Sequence, residues 1–592
     1  MYVSVDSRDY DSWRLYDHNR DLIVASNTEP LLDTVRVSPL DSRLFHGDRI
    51  EIDPSNQIQL VYSPIRNAPY IAGVLILENN KTFGRTENKK KLLYRCIPDN
   101  KNIPIFLIPY EVKLGFSKVQ VNKYIIFKFQ HWEDKHPRGL ITETIGDVDG
   151  LAAYYEYRLY CKQLHIQTNQ LSKSTHTKFA NTTEDSMLEN IIQNGNYRIE
   201  KRDNSRIISI DPAGSLDIDD AFGIEPIIIA GEQTGWIVSI YIANVFVWLE
   251  ELKLWEDLSD RVATIYLPDG KRSMLPKMLS ENICSLLQNK TRLAFTIDIP
   301  MDMNGVIDQD KVRFLNTQIK VFRNYAYDDP ALNATEPVYN HLLHVARQMN
   351  ERVHNSHDLV EHWMICMNVL TGKVMARNRC GIFRKMAFSD VSKMSAGSMD
   401  GIPTETARVM RSWNNVVGGY VLYSDTTDIT HNLLNMSIEN VYSSGLSPHY
   451  VHITSPIRRL VDVLNQIILS SKLGMCDHVS EQARLLLDKW LSNIITVNDH
   501  MKSIRKIQQE CDLLYKCSMD ETLYEQHHSG YVVDKKITSD GMYKYTVYLP
   551  SLKMFGRIQT TIQCYLYSEY KIAMYMFQES DTIIRKIRLQ LL

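Results

Sequence analysis

The sequence lacks the features that mark several large protein classes. Its nine cysteines include no pair separated by two residues, which argues against a zinc ribbon or a thioredoxin-like redox site. No apolar run approaches the length that crosses a bilayer, and the N-terminus has no signal-peptide core. Tandem repeats and low-complexity tracts are also missing. We therefore expect free thiols and a reducing compartment, the cytoplasm, with the nucleus as the alternative and no membrane association.

A large excess of positive charge is missing too. The chain has 67 Lys and Arg against 70 Asp and Glu among its 592 residues, so any nucleic-acid-binding surface must be local. One basic cluster accompanies Phe83 and Tyr94; it consists of Lys81, Arg85, Lys89, Lys90, Lys91 and Arg95. Cations that follow phosphates and rings that stack on bases suit single-stranded nucleic acid. A solvated hairpin tip is the alternative.

The pattern of hydrophobic residues predicts an α+β multidomain protein. Short β-type runs broken by Gly, Pro and Asn predict two small β-barrels, at residues 1–66 and 67–148. Residues 149–205 form a helical and then polar connector. The large central unit at 206–520 has strands first and helices later, and residues 524–592 return to a β pattern.

The segment DPAGSLDIDD carries most of the information in the chain. It lies between two β-type runs and holds four carboxylates, Asp211, Asp217, Asp219 and Asp220. Clustered carboxylates repel one another by ~1–4 kcal/mol per close pair, so a buried cluster needs cations. Oxygen ligands without Cys or His favour Mg²⁺, with Mn²⁺ as the alternative. A solvated acidic surface loop is the competing interpretation.

A second segment, HITSPIRR from His452 to Arg459, predicts the start of a helix. Ser455 is a good N-cap and Pro456 suits the first helical position. Two arginines in that turn oppose the helix dipole by ~0.3–1 kcal/mol each, so stability does not require them. A bound anion at the helix start would require these arginines. The alternative is that each Arg pairs with a carboxylate elsewhere in the chain. Together with an acidic metal loop, this pattern favours phosphodiester hydrolysis.

Five ordered motifs resemble those of the ribonuclease II / ribonuclease R (RNB) family, which includes the exosome's hydrolytic subunit. They are the acidic loop, Tyr241–Asn244, the stretch from Tyr266 to Leu286, Leu359–Asn368, and the TSPIRR segment with Asp462. The resemblance covers most of residues 206–520 and implies an RNB catalytic domain there. It also implies two N-terminal cold-shock OB barrels, a C-terminal S1-type OB barrel, and no extra N-terminal endonuclease domain.

The resemblance implies a metal-dependent, hydrolytic 3′→5′ exoribonuclease that degrades single-stranded RNA processively to nucleoside 5′-monophosphates. The four aspartates would hold Mg²⁺ and the attacking water. Arg458 would grip the terminal phosphate, Tyr266 would stack near the 3′ end, and Glu361 would contact the terminal ribose. The residues expected to bind RNA are Tyr266, Glu361, Arg458, Arg459, Lys89, Lys90 and Lys91. For Tyr266 the alternative role is packing in the core, and for Glu361 it is a favourable interaction with the helix dipole. We expect the protein to function as a monomer.

Several positions depart from the family pattern. Asn244 stands where Asp is usual, His362 replaces a Glu, Met386 replaces a His, and Gln466-Ile467 replaces His-Arg. The segment 327–358 is short and is expected to lack the strand that carries a second aromatic opposite Tyr266. These departures leave a second hypothesis open, in which a catalytically degenerate RNB protein binds RNA as a regulator or assembly factor.

Overall fold

The computed structural model describes the chain apart from residues 27–30, 33–34, 37, 55–56, 89, 112–119, 386–400, 404–405, 408, 411–417, 425–448, 539–540 and 580–583. The chain divides into two compact units. The first consists of Met1–His165, Leu267–Asp269 and Lys506–Leu592, and the second of Ile166–Tyr266 and Gly270–Arg505. Within the described ranges, every helix is too short or too polar to cross a bilayer.

The first unit begins with two β-structures. An N-terminal sheet has the spatial order Leu22–Ala25, Trp13–Tyr16, Tyr2–Val5, Arg49–Ile52 and Ile58–Tyr62. The next five strands close into a barrel in the order Phe106–Tyr110, Arg138–Asp147, Lys123–His131, Ile71–Leu75 and Leu92–Pro98. A short ribbon pairs Leu31–Leu32 with Val35–Arg36. The prediction of a closed barrel is therefore confirmed for the second of these structures, whereas the described strands of the first form an open sheet.

Aromatic packing joins the cores of these two structures. The ring of Phe45 stacks on Phe106 with centroids 5.9 Å apart and contacts Trp132 at 4.8 Å. Alternate side chains of the first strand, Val3 and Val5, are buried in the same cluster. This alternation follows from the two-residue period of a strand.

The rest of the first unit includes the helix Leu151–Cys161 and a C-terminal sheet. The helix Leu151–Cys161 buries Arg158, which pairs with Asp99 at 3.5 Å and Glu510 at 2.9 Å. The sheet has the order Met554–Thr560, Tyr543–Leu549, His528–Ile537, Glu569–Glu579 and Ile584–Leu591. Short helical turns occur at Glu78–Asn80, Glu521–Tyr524 and Pro550–Leu552. The predicted return to β-structure is confirmed.

A seven-stranded mixed sheet forms the centre of the second unit. Its spatial order is Ile199–Lys201, Arg313–Lys320, Thr291–Asp302, Glu232–Ala243, Asp220–Ile229, Ile208–Asp211 and Arg323–Ala326. Gly235 allows two central strands to pair closely, because a Cβ there would lie 2.1 Å from the carbonyl oxygen of Met301. Shorter strands are Ile265–Leu267, Gly270–Arg272, Ile382–Lys385 and Gly419–Leu422.

In the central unit most helices follow the strands, as the sequence predicts, and two helices of the connector precede them. Their bounds are Asn169–Lys178, Glu184–Gln193, Val245–Glu251, Met278–Ile283, Gln309–Lys311, Pro330–Thr335, Pro337–Met349, Ser356–Arg377, Leu460–Lys472, Glu481–Ser492 and Ile494–Met519. Some of their starts carry side-chain caps: Asn355 accepts a hydrogen bond from the backbone of Asp358, and Ser480 accepts one from that of Ala483. We call Ser356–Arg377 the long helix.

One helix start differs from the prediction. The helix after the TSPIRR segment begins at Leu460, with Arg459 as its N-cap residue, rather than at Pro456. The segment before it is a turn, in which the Ser455 carbonyl accepts hydrogen bonds from the backbones of Arg458 and Arg459. Arg458 therefore precedes the helix, and the argument that it complements a helix N-terminus is wrong.

The long helix approaches the chain just before the TSPIRR segment. At Gly372 an added Cβ would lie 2.5 Å from the carbonyl oxygen of His449 and 3.1 Å from the backbone nitrogen of Tyr450. Backbone atoms cannot turn aside as a flexible side chain can, so glycine is needed for this approach.

We predict that Gly372→Ala lowers the stability of the second unit by ~1–3 kcal/mol, the usual cost of overpacking a core. Thermal unfolding followed by fluorescence measures the effect. The control is Gly223→Ala, since a Cβ at that site would meet Tyr241 at an ordinary 3.4 Å. Equal midpoints for the two variants would contradict the close approach.

Candidate active site

A cavity of about 660 Å³ in the second unit gathers most of the predicted site residues. It lies where the acidic segment, the long helix and the TSPIRR segment meet. Its lining includes Asp211, Asp217, Asp219, Asp220, Tyr266, Tyr327, Glu361, Arg458 and Arg459. The four aspartates therefore face a concave surface rather than forming a solvated surface loop.

The acidic segment joins two neighbouring strands of the central sheet. The first strand ends at Asp211 and the next begins at Asp220. Ser285 fixes the intervening loop, since its hydroxyl accepts a hydrogen bond from Ile218 N at 2.9 Å and donates one to Leu216 O at 2.7 Å. Hydrogen bonds to the body of the domain therefore hold this part of the loop.

Asp219 is the most enclosed of the four carboxylates, with 4% of its surface exposed. Its Oδ1 accepts a hydrogen bond from the backbone of Ile457 at 2.9 Å, and its Oδ2 lies 3.3 Å from Arg458 Nε. Burial raises the pKa of Asp219 to about 7, against the opposing influence of Arg458 and the Ile457 N–H. Asp219 connects the acidic loop to the TSPIRR turn.

Asp211 and Asp220 form a repulsive pair. Burial raises the pKa of Asp211 to about 6, and the Ser209 hydroxyl, 2.8 Å from its Oδ2, opposes the shift. Burial and the charges of Asp211 and Asp219 raise the pKa of Asp220 well above its usual range. Within the described residues, the buried Asp220 Oδ2 has no hydrogen-bond partner. A cation would relieve both costs.

Asp217 has a different environment. Its Oδ1 lies 2.9 Å from Lys271 Nζ, and the same ammonium lies 2.9 Å from Glu281 Oε1. Burial alone would lower the pKa of Lys271, but hydrogen bonds to the two carboxylates raise it. Sequence reasoning missed Lys271, whose spacing carries no known signal.

The donor set fits a hard divalent cation in part. Asp211 and Asp220 offer only oxygen ligands, which Mg²⁺ prefers. In the described part of the chain, however, no three His, Cys, Asp or Glu side chains converge closely enough to ligate one ion on their own. Further ligands would therefore have to come from water or substrate, which is common for Mg²⁺.

The two arginines of TSPIRR have different partners. Arg458 donates to Ser455 Oγ at 3.0 Å, and its side chain is 47% exposed at the cavity surface. Arg459 is half-buried and donates to Asp462 Oδ1 at 2.9 Å, which also accepts the Ser455 backbone N–H. Arg458 can contact an anion in the cavity, whereas Arg459 is held in an internal ion pair.

Three tyrosines line the cavity; Tyr450 is buried, whereas Tyr266 and Tyr327 are partly exposed. Tyr266 is 44% exposed, so core packing does not describe it. Tyr327 was not recognised from the sequence; it lines the same cavity and stacks on His357 with centroids 3.8 Å apart. Segment 327–358 contains helices and no strand, as expected, but Tyr327 supplies an aromatic ring nonetheless. Glu361 lies in the second turn of the long helix, away from the helix start, and also lines the cavity.

The predicted basic residues lie elsewhere. Lys90 and Lys91 belong to a turn of the first unit and are not among the residues that line the cavity. Lys89 and Met386 fall outside the described residues.

Two of the positions that depart from the family pattern, Asn244 and Gln466, have structural partners. Asn244 caps the helix Val245–Glu251 and donates to Asn316 Oδ1 at 2.8 Å. Gln466 donates to the Ala243 carbonyl at 2.9 Å and accepts from Phe246 N at 3.3 Å. Both side chains are buried, and neither lines the cavity.

Comparison with protein families gives one match: residues 200–336 match the RNB domain. Among curated proteins, Exoribonuclease 2 of Actinobacillus succinogenes is 35% identical over 122 residues, which is 20% of this chain and 18% of that protein. Exoribonuclease 2 of Pasteurella multocida is 24% identical over 334 residues, 45% of this chain and 51% of that protein. The matches thus span about half or less of these relatives. The predicted resemblance to the RNB family is confirmed for residues 200–336.

Solved structures resemble the chain over nearly its whole length. Mycoplasma genitalium RNase R, in complex with ribose-methylated single-stranded RNA, covers 99% of this chain with a TM-score of 0.61 and 16% identity; 96% of that chain is matched. Yeast Ssd1, described as a pseudonuclease, covers 98% with a TM-score of 0.54 and 12% identity; 81% of that chain is matched. At these identities the likeness concerns the fold alone.

His362 makes the stability of the second unit depend on pH. Burial lowers its pKa to about 4, and neither ring nitrogen has a hydrogen-bond partner within the described residues. The unfolded chain therefore binds a proton between pH 6.5 and 4 that the folded chain does not bind, so stability is lost as pH falls through this window. The loss amounts to roughly 3 kcal/mol at the acid end.

We predict that His362→Met retains more of its thermal midpoint on acidification from pH 6.5 to 4.5 than the wild type does. The control is His354→Gln, at an exposed position. If the thermal midpoints of the His362 variant and the wild type fall equally on acidification, the buried neutral imidazole is not the cause of the pH dependence.

Proposed function

We propose that this chain, whose residues 200–336 form an RNB domain, is a 3′→5′ exoribonuclease that hydrolyses single-stranded RNA. One observation carries the proposal: four aspartates, an exposed arginine and the partly exposed rings of Tyr266 and Tyr327 line one cavity of about 660 Å³. The named activity of the Exoribonuclease 2 relatives supports it, and so does the single-stranded RNA bound by the RNase R that shares this fold.

Each cavity side chain suits one part of an RNA 3′ end. The Arg458 guanidinium is held by Asp219 and Ser455, which leaves part of its donor fork for a phosphate. The rings of Tyr266 and Tyr327 offer faces for bases, and Glu361 offers an acceptor for a ribose 2′-hydroxyl, the group that distinguishes RNA from DNA.

Mg²⁺, or Mn²⁺ in its place, fits this proposal as the cofactor. When bound, a divalent ion would lower the pKa of water and neutralise charge that develops on the phosphate. Asp211 and Asp220 are the residues that would hold it, because their burial is otherwise uncompensated. Arg458 then supplies a second positive charge, fixed before substrate arrives, where the transition state becomes more negative.

The remaining expectations belong to the same proposal. We propose processive release of nucleoside 5′-monophosphates by a monomer of the cytoplasm. The β-structures at 1–66 and 67–148 would be cold-shock-like barrels and that at 524–592 an S1-type barrel, all three binding RNA, with Lys90 and Lys91 on the second. Residues 149–205 would connect them to a catalytic domain at 206–520.

An RNA-binding protein without activity is the alternative function, and the pseudonuclease Ssd1 shows that the fold permits it. The acidic cluster argues against it here. Four carboxylates at one cavity destabilise a protein that has no use for a cation, and a protein that only binds RNA gains nothing from retaining them.

We predict that the protein shortens a 5′-labelled single-stranded RNA from its 3′ end in the presence of Mg²⁺ and leaves the matching DNA uncut. EDTA abolishes this cleavage. Asp219→Asn and Asp220→Asn each abolish it as well while retaining RNA affinity in a gel shift, because each removes a negative charge from the cluster.

Three results would contradict this prediction. Cleavage in EDTA would show that the reaction does not require a metal ion. Normal turnover in both Asn variants would show that these aspartates are not part of the active site. Binding without cleavage by the wild type would establish the inactive RNA-binding protein instead.

We predict that Arg458→Ala lowers kcat by ~10² or more, as loss of one preorganised donor to transition-state charge typically does. Arg458→Lys should recover part of the loss, since it keeps the charge but not the planar fork. Single-turnover cleavage with saturating protein measures the effect on chemistry directly. A wild-type rate for Arg458→Ala would mean that this side chain only supports the TSPIRR turn.

A further inference from the structure

The four aspartates of the cavity differ in how their charge is balanced. Lys271 Nζ lies 2.9 Å from Asp217 and 2.9 Å from Glu281, and the three side chains are only 24%, 17% and 15% exposed. Partly buried pairs are screened little by water and salt. Asp217 therefore already has a cation, which is part of the protein.

Asp219 is balanced in a similar way. It pairs with Arg458 at 3.3 Å and accepts the backbone N–H of Ile457 at 2.9 Å. Both of its oxygens thus have partners, and one of those partners is a positive charge.

Asp211 and Asp220 are left without such a balance. Asp211 accepts a hydrogen bond from the neutral hydroxyl of Ser209, and the buried Oδ2 of Asp220 has no hydrogen-bond partner in the described part of the chain. When both are ionised, these two carboxylates carry two negative charges, which one divalent cation neutralises.

We propose that Lys271 acts as a resident cation at Asp217, so that the site takes one divalent ion, held by Asp211 and Asp220, rather than two. The inference rests on the proposed metal-dependent function and deepens it. It removes Asp217 from the predicted ligands and makes it a positioning residue. Through Lys271, Asp217 is connected to the strand Gly270–Arg272 and to the helical turn Met278–Ile283, which carries Glu281.

The inference can be tested without RNA by titrating the whole chain with Mn²⁺ and counting bound ions by electron paramagnetic resonance. The wild type should bind one ion at this site, and Asp220→Asn should bind none. Asp217→Asn should still bind one, with affinity close to that of the wild type. Lys271→Met should bind a second ion, because Asp217 and Glu281 then lose their cation. Lys277→Met, at an exposed position, is the control for loss of one positive charge.

Several outcomes overturn the inference. Two ions in the wild type would do so, as would an Asp217→Asn variant whose Mn²⁺ affinity falls beyond the ~10–100-fold typical of outer-shell partners. A folded Lys271→Met protein that still binds one ion would show that the lysine does not replace a cation. If Lys271→Met does not fold, as judged by its thermal midpoint, the Asp217→Asn result decides. A chain that binds one ion but cuts no RNA would overturn the proposed function alone.

Discussion

The contact between Asp219 and the TSPIRR turn is the interaction on which the site depends. The Asp219 side chain accepts the Ile457 N–H at 2.9 Å and pairs with Arg458, while its backbone oxygen accepts the Ala243 N–H at 2.8 Å. One residue therefore joins an edge of the central sheet to the segment that starts the helix Leu460–Lys472. A buried carboxylate with satisfied hydrogen bonds specifies one arrangement of these elements, because each alternative leaves a charge unpaired in the interior.

That arrangement has an electrostatic cost which the protein offsets unequally. Arg458 and Lys271 balance two of the four aspartates, and Asp211 and Asp220 remain close together with raised pKa values. A fold selected for stability alone would have replaced one of these two carboxylates with an amide or an apolar group. The strain instead remains at the one place in the cavity where a bound cation would relieve it, which is typical of functional sites.

The sequence predicted the composition of the cavity better than its geometry. Residue types and their order can be read directly from a sequence, and they were enough to identify the four aspartates, Tyr266, Glu361 and Arg458. All of these residues line the cavity. The helix start was misplaced because Pro456 and Ser455 suit a turn as well as a helix. The turn is held by the Ser455 N–H, which donates to the buried Asp462 at 2.8 Å. Lys271 and Tyr327 were missed because their roles arise from contacts that only the folded chain brings together.

The positions that depart from the family pattern support this view of the site. Asn244 and Gln466 satisfy buried backbone and side-chain partners around residues 243–247, and neither reaches the cavity. Substitutions there change how the scaffold is held, not which groups face a substrate. An RNase R bound to single-stranded RNA and the pseudonuclease Ssd1 both share this fold, so the fold cannot decide between activity and binding. The decision rests on the cavity residues, and those that carry charge are all present.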